Sequence, residues 1–333
     1  MARGLNQHGD NLSALNGQQG VAILSHNIHK AQPLTSELMS YPERRPLRVE
    51  SILAAYKGVE KQSIIAMPGA TAAFYMLASA FRRKVEVLIY TPTYTGYCEA
   101  FTAYGHKVRT CVLDVNYAVV NQSIPDSVDV VIVGNPNNPT GSYANMRAWI
   151  EAHPQVLFII DESFIQFTDE VFSLRQAAGE MDHVLVVESM TKFYGMAGVR
   201  LGVIYGHKRQ IEKLRRFQVP WSVTVTPEFL EKRLAESDAL LQAYLEEKAF
   251  VLKGLDALGI EYIEGAANFY LLKVKDASAV YDGLLAYGIL TRCLNDFEGL
   301  EANVLRVAVG THFENRAFLR ALKALKDKKG EIL

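Results

Sequence analysis

Residues 189–200 read Ser189-Met190-Thr191-Lys192-Phe193-Tyr194-Gly195-Met196-Ala197-Gly198-Val199-Arg200 and follow the short apolar run Val184–Val187. The apolar run predicts a buried strand, so the lysine lies just beyond a strand end. The hydroxyls of Ser189 and Thr191 and the guanidinium of Arg200 suit a phosphate, whereas an amine that can lose its proton suits a carbonyl. Together they indicate a site for an aldehyde that carries a phosphate.

The sequence on both sides of this stretch alternates between strand-like and helix-like segments. Near-continuous Val, Ile and Leu runs predict strands at 64–67, 85–90, 107–113, 128–133, 156–160, 184–187 and 199–205. Apolar residues at helical spacing predict helices at 47–58, 71–82, 94–104, 143–152 and 172–179. This alternation favours an α/β fold with a mainly parallel sheet that is covered on both faces.

The pattern changes after Lys208, and this change suggests a second domain. The segment 218–227 contains two prolines and resembles a connector, while 228–258 is a long run compatible with a helix. Short strands at 269–274 and 304–309 alternate with helices at 277–287 and 314–326, which favours an α+β unit. We therefore expect an extended N-terminal arm over residues 1–40, a large domain over 41–220 and a smaller domain over 221–333.

The composition indicates a folded protein that acts on a small molecule. Of the 333 residues, 49% are apolar and 21% are charged, and the formal net charge of -1 provides no field that would recruit nucleic acid or a membrane. The three cysteines are far apart, so neither a disulfide framework nor a metal site is expected. The sequence has no apolar leader and no run of roughly 18 apolar residues, so we expect a cytoplasmic protein.

Several polar residues follow predicted strands, where open α/β sheets bind ligands. Asp161 comes directly after one strand; alone it could equally be a helix cap or an ion-paired carboxylate, but together with Lys192 it favours a functional site. Asn138 lies in a turn rich in Pro and Gly, which could be a plain connection or could present an amide to a phenolate or carbonyl oxygen.

A second strand-to-helix connection, Pro68-Gly69-Ala70-Thr71, could bind phosphate through the amides of a helix N-terminus, or could simply be a turn. Tyr94 opens the next predicted helix and could stack on a planar ring, although a packed tyrosine is the more common outcome. Ser189 to Lys192 also matches the SxxK motif of serine acylases, but the SDN and KTG motifs that accompany it in that class are missing from the sequence.

Four motifs occur in an order and spacing that resemble the fold-type I pyridoxal-phosphate enzymes of the class I/II aminotransferase superfamily. They are NPNNPTG (Asn135–Gly141), DESF (Asp161–Phe164), SMTKFYGMAGVRLG (Ser189–Gly202) and VLRVAVG (Val304–Gly310). Within that superfamily, the chain resembles the branch that holds histidinol-phosphate aminotransferase and threonine-phosphate decarboxylase of cobalamin biosynthesis, and it is most similar to the decarboxylase.

The resemblance implies pyridoxal 5'-phosphate as the cofactor and a role for each matching residue. Lys192 would bind the cofactor covalently, and Asp161 would pair with its ring nitrogen and keep it protonated. Asn138 would hydrogen-bond the 3-oxygen and Tyr94 would stack on the ring. The residues that would hold the phosphate are Gly69, Ala70, Thr71, Ser189, Thr191 and Arg200. Tyr41 would reach the cofactor of a neighbouring subunit, which implies a homodimer with shared active sites.

Two arginines and the arm would bind the substrate. Arg306 resembles the arginine that holds the substrate α-carboxylate, and Arg292 resembles a second arginine on the side of the substrate phosphate. His8-Gly9, Ser25–Ile28 with Asn27, and Phe297–Leu300 resemble decarboxylase segments, and Phe164 stands where the aminotransferase usually has tyrosine. The sequence departs from the decarboxylase pattern at His29-Lys30, where the usual residues are Asn-Pro.

The resemblance implies decarboxylation of L-threonine O-phosphate or L-serine O-phosphate to an aminoalkyl phosphate for the nucleotide loop of a cobamide. The main alternative is an aminotransferase for a phosphorylated substrate such as histidinol phosphate. A further alternative, a catalytically silent protein that only binds pyridoxal phosphate, is disfavoured by the presence of Lys192, Asp161 and Arg306.

Overall fold

The structure is a computed structural model that describes residues 22–23, 42–114, 116–295, 297–300, 303–329 and 332–333. Of the predicted arm, it describes the short strand β1 (Ala22–Ile23), which pairs in parallel with Ile289–Leu290. Strand β1 therefore contacts the C-terminal third of the chain just before Arg292.

A seven-stranded sheet forms the larger part of the described chain. Its strands are β2 (Ile64–Met67), β3 (Glu86–Thr91), β4 (Lys107–Val112), β5 (Val130–Gly134), β6 (Leu157–Asp161), β7 (Val184–Ser189) and β8 (Gly202–Gly206). Their spatial order is β2-β8-β7-β6-β5-β3-β4, and only β8 runs against its neighbours. The predicted mainly parallel sheet is confirmed.

Uninterrupted burial along the central strands shows that the sheet is covered on both faces. Every residue of β5, β7 and β8 is buried. Along β5, Val131 and Val133 belong to one apolar cluster, whereas Ile132 belongs to a second cluster. Successive side chains of a strand point to opposite faces, so each near-continuous apolar run supplies both cores.

Six helices accompany this sheet, and several of them are shorter than the sequence predicted. They are α1 (Leu47–Lys57), α2 (Ala70–Ser79), α3 (Gly96–Ala103), α4 (Arg147–Glu151), α5 (Arg175–Glu180) and α6 (Lys208–Leu214). The helix predicted from Tyr143 begins only at Arg147, and α6 was not predicted. The strand predicted from Val199 begins at Gly202, because Ala197–Val199 forms a 3-10 turn and Arg200 has a left-handed conformation with φ 56°.

A smaller antiparallel sheet forms in the C-terminal part. Its order is β12-β13-β10-β9. The remaining elements are α7 (Pro227–Ala235), α8 (Ser237–Leu258), β9 (Tyr262–Glu264), β10 (Phe269–Lys273), α9 (Ala277–Ala286), β11 (Ile289–Leu290), β12 (Arg292–Cys293), β13 (Val304–Ala308) and α10 (His312–Lys329). The run 228–258 that is compatible with a helix forms two helices, because Glu236 separates α7 from α8.

The two sheets are built from separate parts of the chain, 64–206 and 262–308, but packing is continuous between the parts. The ring of Phe167 contacts that of Tyr244 on α8 at a centroid distance of 4.9 Å. The domain boundary at 220/221 therefore stays a prediction. None of the helices within the described ranges is both long and apolar enough to cross a bilayer.

Candidate active site

The predicted site residues gather at one edge of the large sheet. Strands β2, β3, β5, β6 and β7 end at this edge and β8 begins there, because β8 runs in the opposite direction. The segments that follow these ends carry Gly69, Tyr94, Asn138, Asp161 and Lys192. Ligands bind at this edge of open α/β sheets, so the topology supports the position that the sequence indicated.

The N-terminus of α2 and the side chain of Arg200 form one end of the site. Gly69 has φ 95°, and a Cβ atom placed on it would lie 2.5 Å from Nη2 of Arg200. Gly202 allows a similarly close approach, since its Cβ would lie 2.5 Å from the nitrogen of Ala70. Amides of a first helical turn next to a guanidinium form an anion site, and both close approaches require glycine.

Two hydroxyls lie at the end of β7, beside this anion site. Ser189 is paired in register with Gly202 on β8, and its Oγ lies 2.8 Å from Oγ1 of Thr191. Both side chains are buried. The predicted phosphate-binding residues of the two segments are therefore next to each other in the structure.

Tyr94 lies beside the anion site. Its hydroxyl lies 3.2 Å from Oγ1 of Thr71 on α2. A Cβ atom on Gly96 would lie 2.4 Å from the Tyr94 ring, so this glycine leaves room for the ring to fold back over the start of α3. The ring is half-buried and is thus available to contact a planar ligand.

Asp161 is buried at the end of β6 and accepts a hydrogen bond at each carboxylate oxygen. The hydroxyl of Tyr97 donates to Oδ2 at 2.7 Å, and the backbone N–H of Ser163 donates to Oδ1 at 2.9 Å. Tyr97 was missed in the sequence analysis. Its position three residues after Tyr94, on the same face of a predicted helix, was the available signal.

Lys192 is half-buried beside an aromatic ring. Its Nζ lies 4.7 Å from the centroid of the Phe164 ring. Burial lowers the pKa of the Lys192 amine from 10.5 to about 8; Asp161 opposes this shift, and the positive charges of Arg200 and Arg306 add to it. A substantial fraction of the amine is therefore neutral near pH 8, as attack on a carbonyl requires.

Arg306 approaches the same place from the smaller sheet. It lies in the middle of β13, is buried, and donates a hydrogen bond through Nη1 to Oδ1 of Asn138. Its guanidinium lies over the ring of Phe269, 5.3 Å from the centroid. Burial and then the charge of Arg292 lower the pKa of Arg306 to about 9, so the side chain is still cationic at neutral pH.

A second arginine stands opposite the first. Arg292 on β12 pairs with Arg306 in the antiparallel register, so the two side chains leave the same face of the smaller sheet. The guanidinium of Arg292 lies 5.7 Å from the ring centroid of Phe297. The structure therefore presents two cations side by side towards the edge that carries Lys192.

Three predicted site residues cannot be compared with the structure. His8, Asn27 and Tyr41 lie outside the described residues. The remaining twelve form a continuous set that runs from the anion site through Asp161 and Lys192 to the two arginines.

The residues present fit a planar aldehyde that carries a phosphate. The anion site has backbone amides, two hydroxyls and a guanidinium around glycines that leave space for it. A buried carboxylate with fixed donors suits a protonated ring nitrogen, and an amine of lowered pKa suits the aldehyde. Within the described ranges, no cluster of three or more His, Cys, Asp or Glu side chains could hold a metal ion.

The fold and this donor set define a fold-type I enzyme that depends on pyridoxal phosphate. The model of the family described as "Aminotransferase class I and II" matches residues 14–322. The chain therefore belongs to that family, and its cofactor is pyridoxal phosphate.

Similar proteins carry two different names. A Caldanaerobacter subterraneus protein named "Putative threonine-phosphate decarboxylase" is 30% identical over 319 residues, covering 88% of this chain and 84% of its own length. The L-threonine-O-3-phosphate decarboxylase structure from Porphyromonas gingivalis has a TM-score of 0.76 at 25% identity, with 87% and 91% coverage. The histidinol-phosphate aminotransferase structure from Clostridium acetobutylicum has a TM-score of 0.78 at 28% identity, with 88% and 92% coverage.

Proposed function

We propose that the protein is a carboxy-lyase that uses pyridoxal phosphate to decarboxylate a small O-phospho-L-amino acid, either L-threonine O-phosphate or L-serine O-phosphate. The observation that carries the proposal is the pair of arginines, Arg306 and Arg292, at opposing positions of β13 and β12. A substrate with a carboxylate and a phosphate has two anionic ends, and each guanidinium can bind one end through a bidentate fork.

The cofactor roles of individual residues are part of the same proposal. Lys192 binds the cofactor covalently, Asp161 keeps its ring nitrogen protonated, Asn138 contacts its 3-oxygen and Tyr94 stacks on its ring. The anion site of Gly69, Ala70, Thr71, Ser189, Thr191 and Arg200 holds its phosphate. Pyridoxal phosphate, when bound, takes up the electrons that a bond to the substrate α-carbon releases.

The choice of reaction depends on how the substrate is held. The residues that bind the substrate would decide which bond to the α-carbon is oriented for cleavage. We infer that Arg306 would hold the carboxylate in that orientation while Arg292 would hold the phosphate, so that the bond to the carboxylate carbon would break and carbon dioxide would leave. Lys192, with its pKa near 8, then supplies a proton to the α-carbon.

The environment of Lys192 supports this assignment. Phe164 presents a ring face and no hydroxyl to the amine, 4.7 Å from the ring centroid. The sequence identity of 30% to a protein named "Putative threonine-phosphate decarboxylase" supports an O-phospho-amino acid as the substrate. The product would be the aminoalkyl phosphate for the nucleotide loop of a cobamide.

A homodimer with shared sites is proposed for two reasons. The resemblance gives Tyr41 a contact with the cofactor of the neighbouring subunit. Two apolar side chains near residue 44 are exposed, Val219 at 63% and Trp221 at 50%, and the N–H of Trp221 donates to the carbonyl of Arg44. His8 and Asn27 of the arm are proposed to contact the substrate, and the pairing of β1 with β11, two residues before Arg292, supports this.

One observation favours a second candidate function. The histidinol-phosphate aminotransferase from C. acetobutylicum has the same fold at 28% identity, and a transaminase needs the same Lys192, Asp161 and Arg306. In that reaction Lys192 would move a proton from the α-carbon instead of supplying one after loss of carbon dioxide.

Incubation with three substrates distinguishes the two functions. The purified holoenzyme would be given L-threonine O-phosphate, L-serine O-phosphate or histidinol phosphate, each with and without 2-oxoglutarate. We expect release of carbon dioxide from one or both phospho-amino acids without an oxo acid. Glutamate formation that depends on 2-oxoglutarate, with no release of carbon dioxide, would refute the decarboxylase proposal.

A further inference from the structure

Tyr97 on α3 is a buried tyrosine whose hydroxyl contacts the carboxylate of Asp161. The side chain is 1% exposed, and its hydroxyl donates to Oδ2 of Asp161 at 2.7 Å. The other carboxylate oxygen receives the N–H of Ser163 at 2.9 Å. Of the described side chains, Tyr97 therefore supplies the hydroxyl that directly fixes the orientation of this carboxylate.

The position of the hydroxyl is itself fixed by packing. The Tyr97 ring lies against Phe74 and Tyr94, with centroid distances of 4.7 Å and 5.3 Å. Gly134, the register partner of Asp161 on β5, leaves the space on the remaining side, since a Cβ atom there would lie 3.4 Å from the hydroxyl oxygen. A side chain held by neighbours on several sides is a rigid support for a functional group.

The phenol remains a donor at every working pH. Burial, and then the charge of Asp161, raise the pKa of Tyr97 well above its ordinary value of 10. A neutral phenol that donates to a carboxylate favours the ionised form of that carboxylate. An ionised Asp161 is what a protonated ring nitrogen needs opposite it.

We propose that Tyr97 is a positioning residue that holds the Asp161 carboxylate in a fixed orientation towards the ring nitrogen of pyridoxal phosphate. The inference rests on the proposed function, in which Asp161 is the partner of that nitrogen. It assigns to Tyr97 an effect on the cofactor that acts through Asp161 and not through contact with the substrate.

The test compares two buried tyrosines that each donate to a carboxylate. Tyr97→Phe removes the hydroxyl and keeps the ring. Tyr205→Phe is the matched control, because Tyr205 on β8 is fully buried and donates to Oε2 of Glu188 at 2.6 Å, outside the site. The readouts are the dissociation constant of pyridoxal phosphate for the apo-protein and the nitrogen-15 NMR shift of labelled cofactor in the holoenzyme, which reports protonation of the ring nitrogen.

We expect Tyr97→Phe to weaken cofactor binding by roughly tenfold or more, as for loss of a hydrogen bond to a charged group. We also expect the nitrogen-15 shift to move towards that of unprotonated pyridine. Tyr205→Phe should change the affinity by less than about twofold and leave the shift unchanged. Unchanged affinity and shift in Tyr97→Phe, or equal losses in both variants, would overturn the inference.

A double-mutant cycle gives an independent test that needs no comparison of stability. If Tyr97 acts through Asp161, Tyr97→Phe should have no further effect on cofactor affinity in an Asp161→Asn background. Additive losses would overturn the inference. A wild-type protein that binds the cofactor but does not decarboxylate would refute the proposed reaction alone, whereas failure of the cycle in an active enzyme would refute only the role of Tyr97.

Discussion

Lys192 and Arg306, the two cations at the centre of the site, each lie against the face of a phenyl ring. Lys192 lies on Phe164 and Arg306 on Phe269, and the two rings meet edge to face at 5.2 Å and 88°. The aromatic pair thus covers one side of the amine and of the guanidinium. This arrangement explains why burial is the first cause of the lowered pKa in each case.

The lowered pKa of Lys192 predicts how the apo-protein captures its cofactor. The rate at which borohydride-trapped pyridoxyl product forms at Lys192 should rise with pH about a midpoint near 8, because the neutral amine attacks the aldehyde. Peptide mass spectrometry after tryptic digestion would measure this. Exposed lysines of the same sample serve as the control, and a midpoint for Lys192 near their value of about 10.4 would contradict the prediction.

The roles of single residues could be predicted only where a motif carried them. Asp161 directly follows an apolar run and Lys192 lies shortly beyond another, so the sequence predicted their place at the sheet edge. The role of Tyr97 was not predicted, because its partner Asp161 is 64 residues away and their contact depends on how α3 packs on the folded sheet. The hydrogen bond from Arg306 to Asn138 joins residues 168 apart and likewise depends on how the two sheets meet.

At the scale of elements, buried polar side chains join strand ends to helix starts. Glu162, which follows β6, accepts hydrogen bonds from the hydroxyl of Ser173 at 2.7 Å and from the N–H of Leu174 at 2.6 Å, just before α5. Burial raises the pKa of Glu162 from 4.5 to about 7, with Glu188 adding to the shift and Arg175 opposing it. The segment between β6 and α5 is thus held by an acid that loses its proton only near pH 7 in the folded state.

This acid should make stability depend on pH. Between about pH 4.5 and 7 the folded state binds a proton that the unfolded state has lost, so stability falls as the pH rises, by up to about 1.4 kcal/mol per pH unit. Glu162→Gln should remove this part of the fall, as urea unfolding at pH 5 and pH 7.5 would measure. The exposed Glu180→Gln is the control, and a Glu162→Gln variant with wild-type pH dependence would contradict the prediction.

The sequence predicted the presence of most helices and strands correctly, but it predicted several of their first and last residues wrongly. Apolar runs such as Val130–Val133 predict buried strands because only strands covered on both faces accept them. Helix starts were predicted too early at Tyr94 and Tyr143, since the helical spacing does not reveal that the backbone becomes helical only at Gly96 and Arg147. The break at Glu236 was missed because no Gly or Pro marks it.

At the scale of the whole molecule, the two sheets contact each other through backbone beside the site. The loop after β5 meets the loop between β9 and β10, where the N–H of Ala266 donates to the carbonyl of Gly141 at 2.8 Å. Gly141 has φ 69°, and a Cβ atom on Gly265 would lie 2.7 Å from its Cα. This contact fixes the loop that carries Asn138 relative to the sheet that carries Arg306.

A methyl group at this contact should loosen the molecule. Gly265→Ala should lower the free energy of unfolding by roughly 1–3 kcal/mol, because backbone must move to admit the new atom. Gly198→Ala is the control, since nothing lies within 4 Å of a Cβ atom placed there, and its effect should stay within about 0.5 kcal/mol. Equal stability of the two variants in guanidinium unfolding would show that the contact is not tight.

The central claim, decarboxylation of a phospho-amino acid, is tested most directly by NMR of the holoenzyme with L-threonine O-phosphate in heavy water, without any oxo acid. Loss of carbon dioxide and delivery of one solvent-derived proton to the α-carbon predict 1-aminopropan-2-ol O-phosphate with a single deuteron at carbon 1. Phosphothreonine that only exchanges its α-hydrogen for deuterium, or that forms an oxo acid when 2-oxoglutarate is added, would contradict the account.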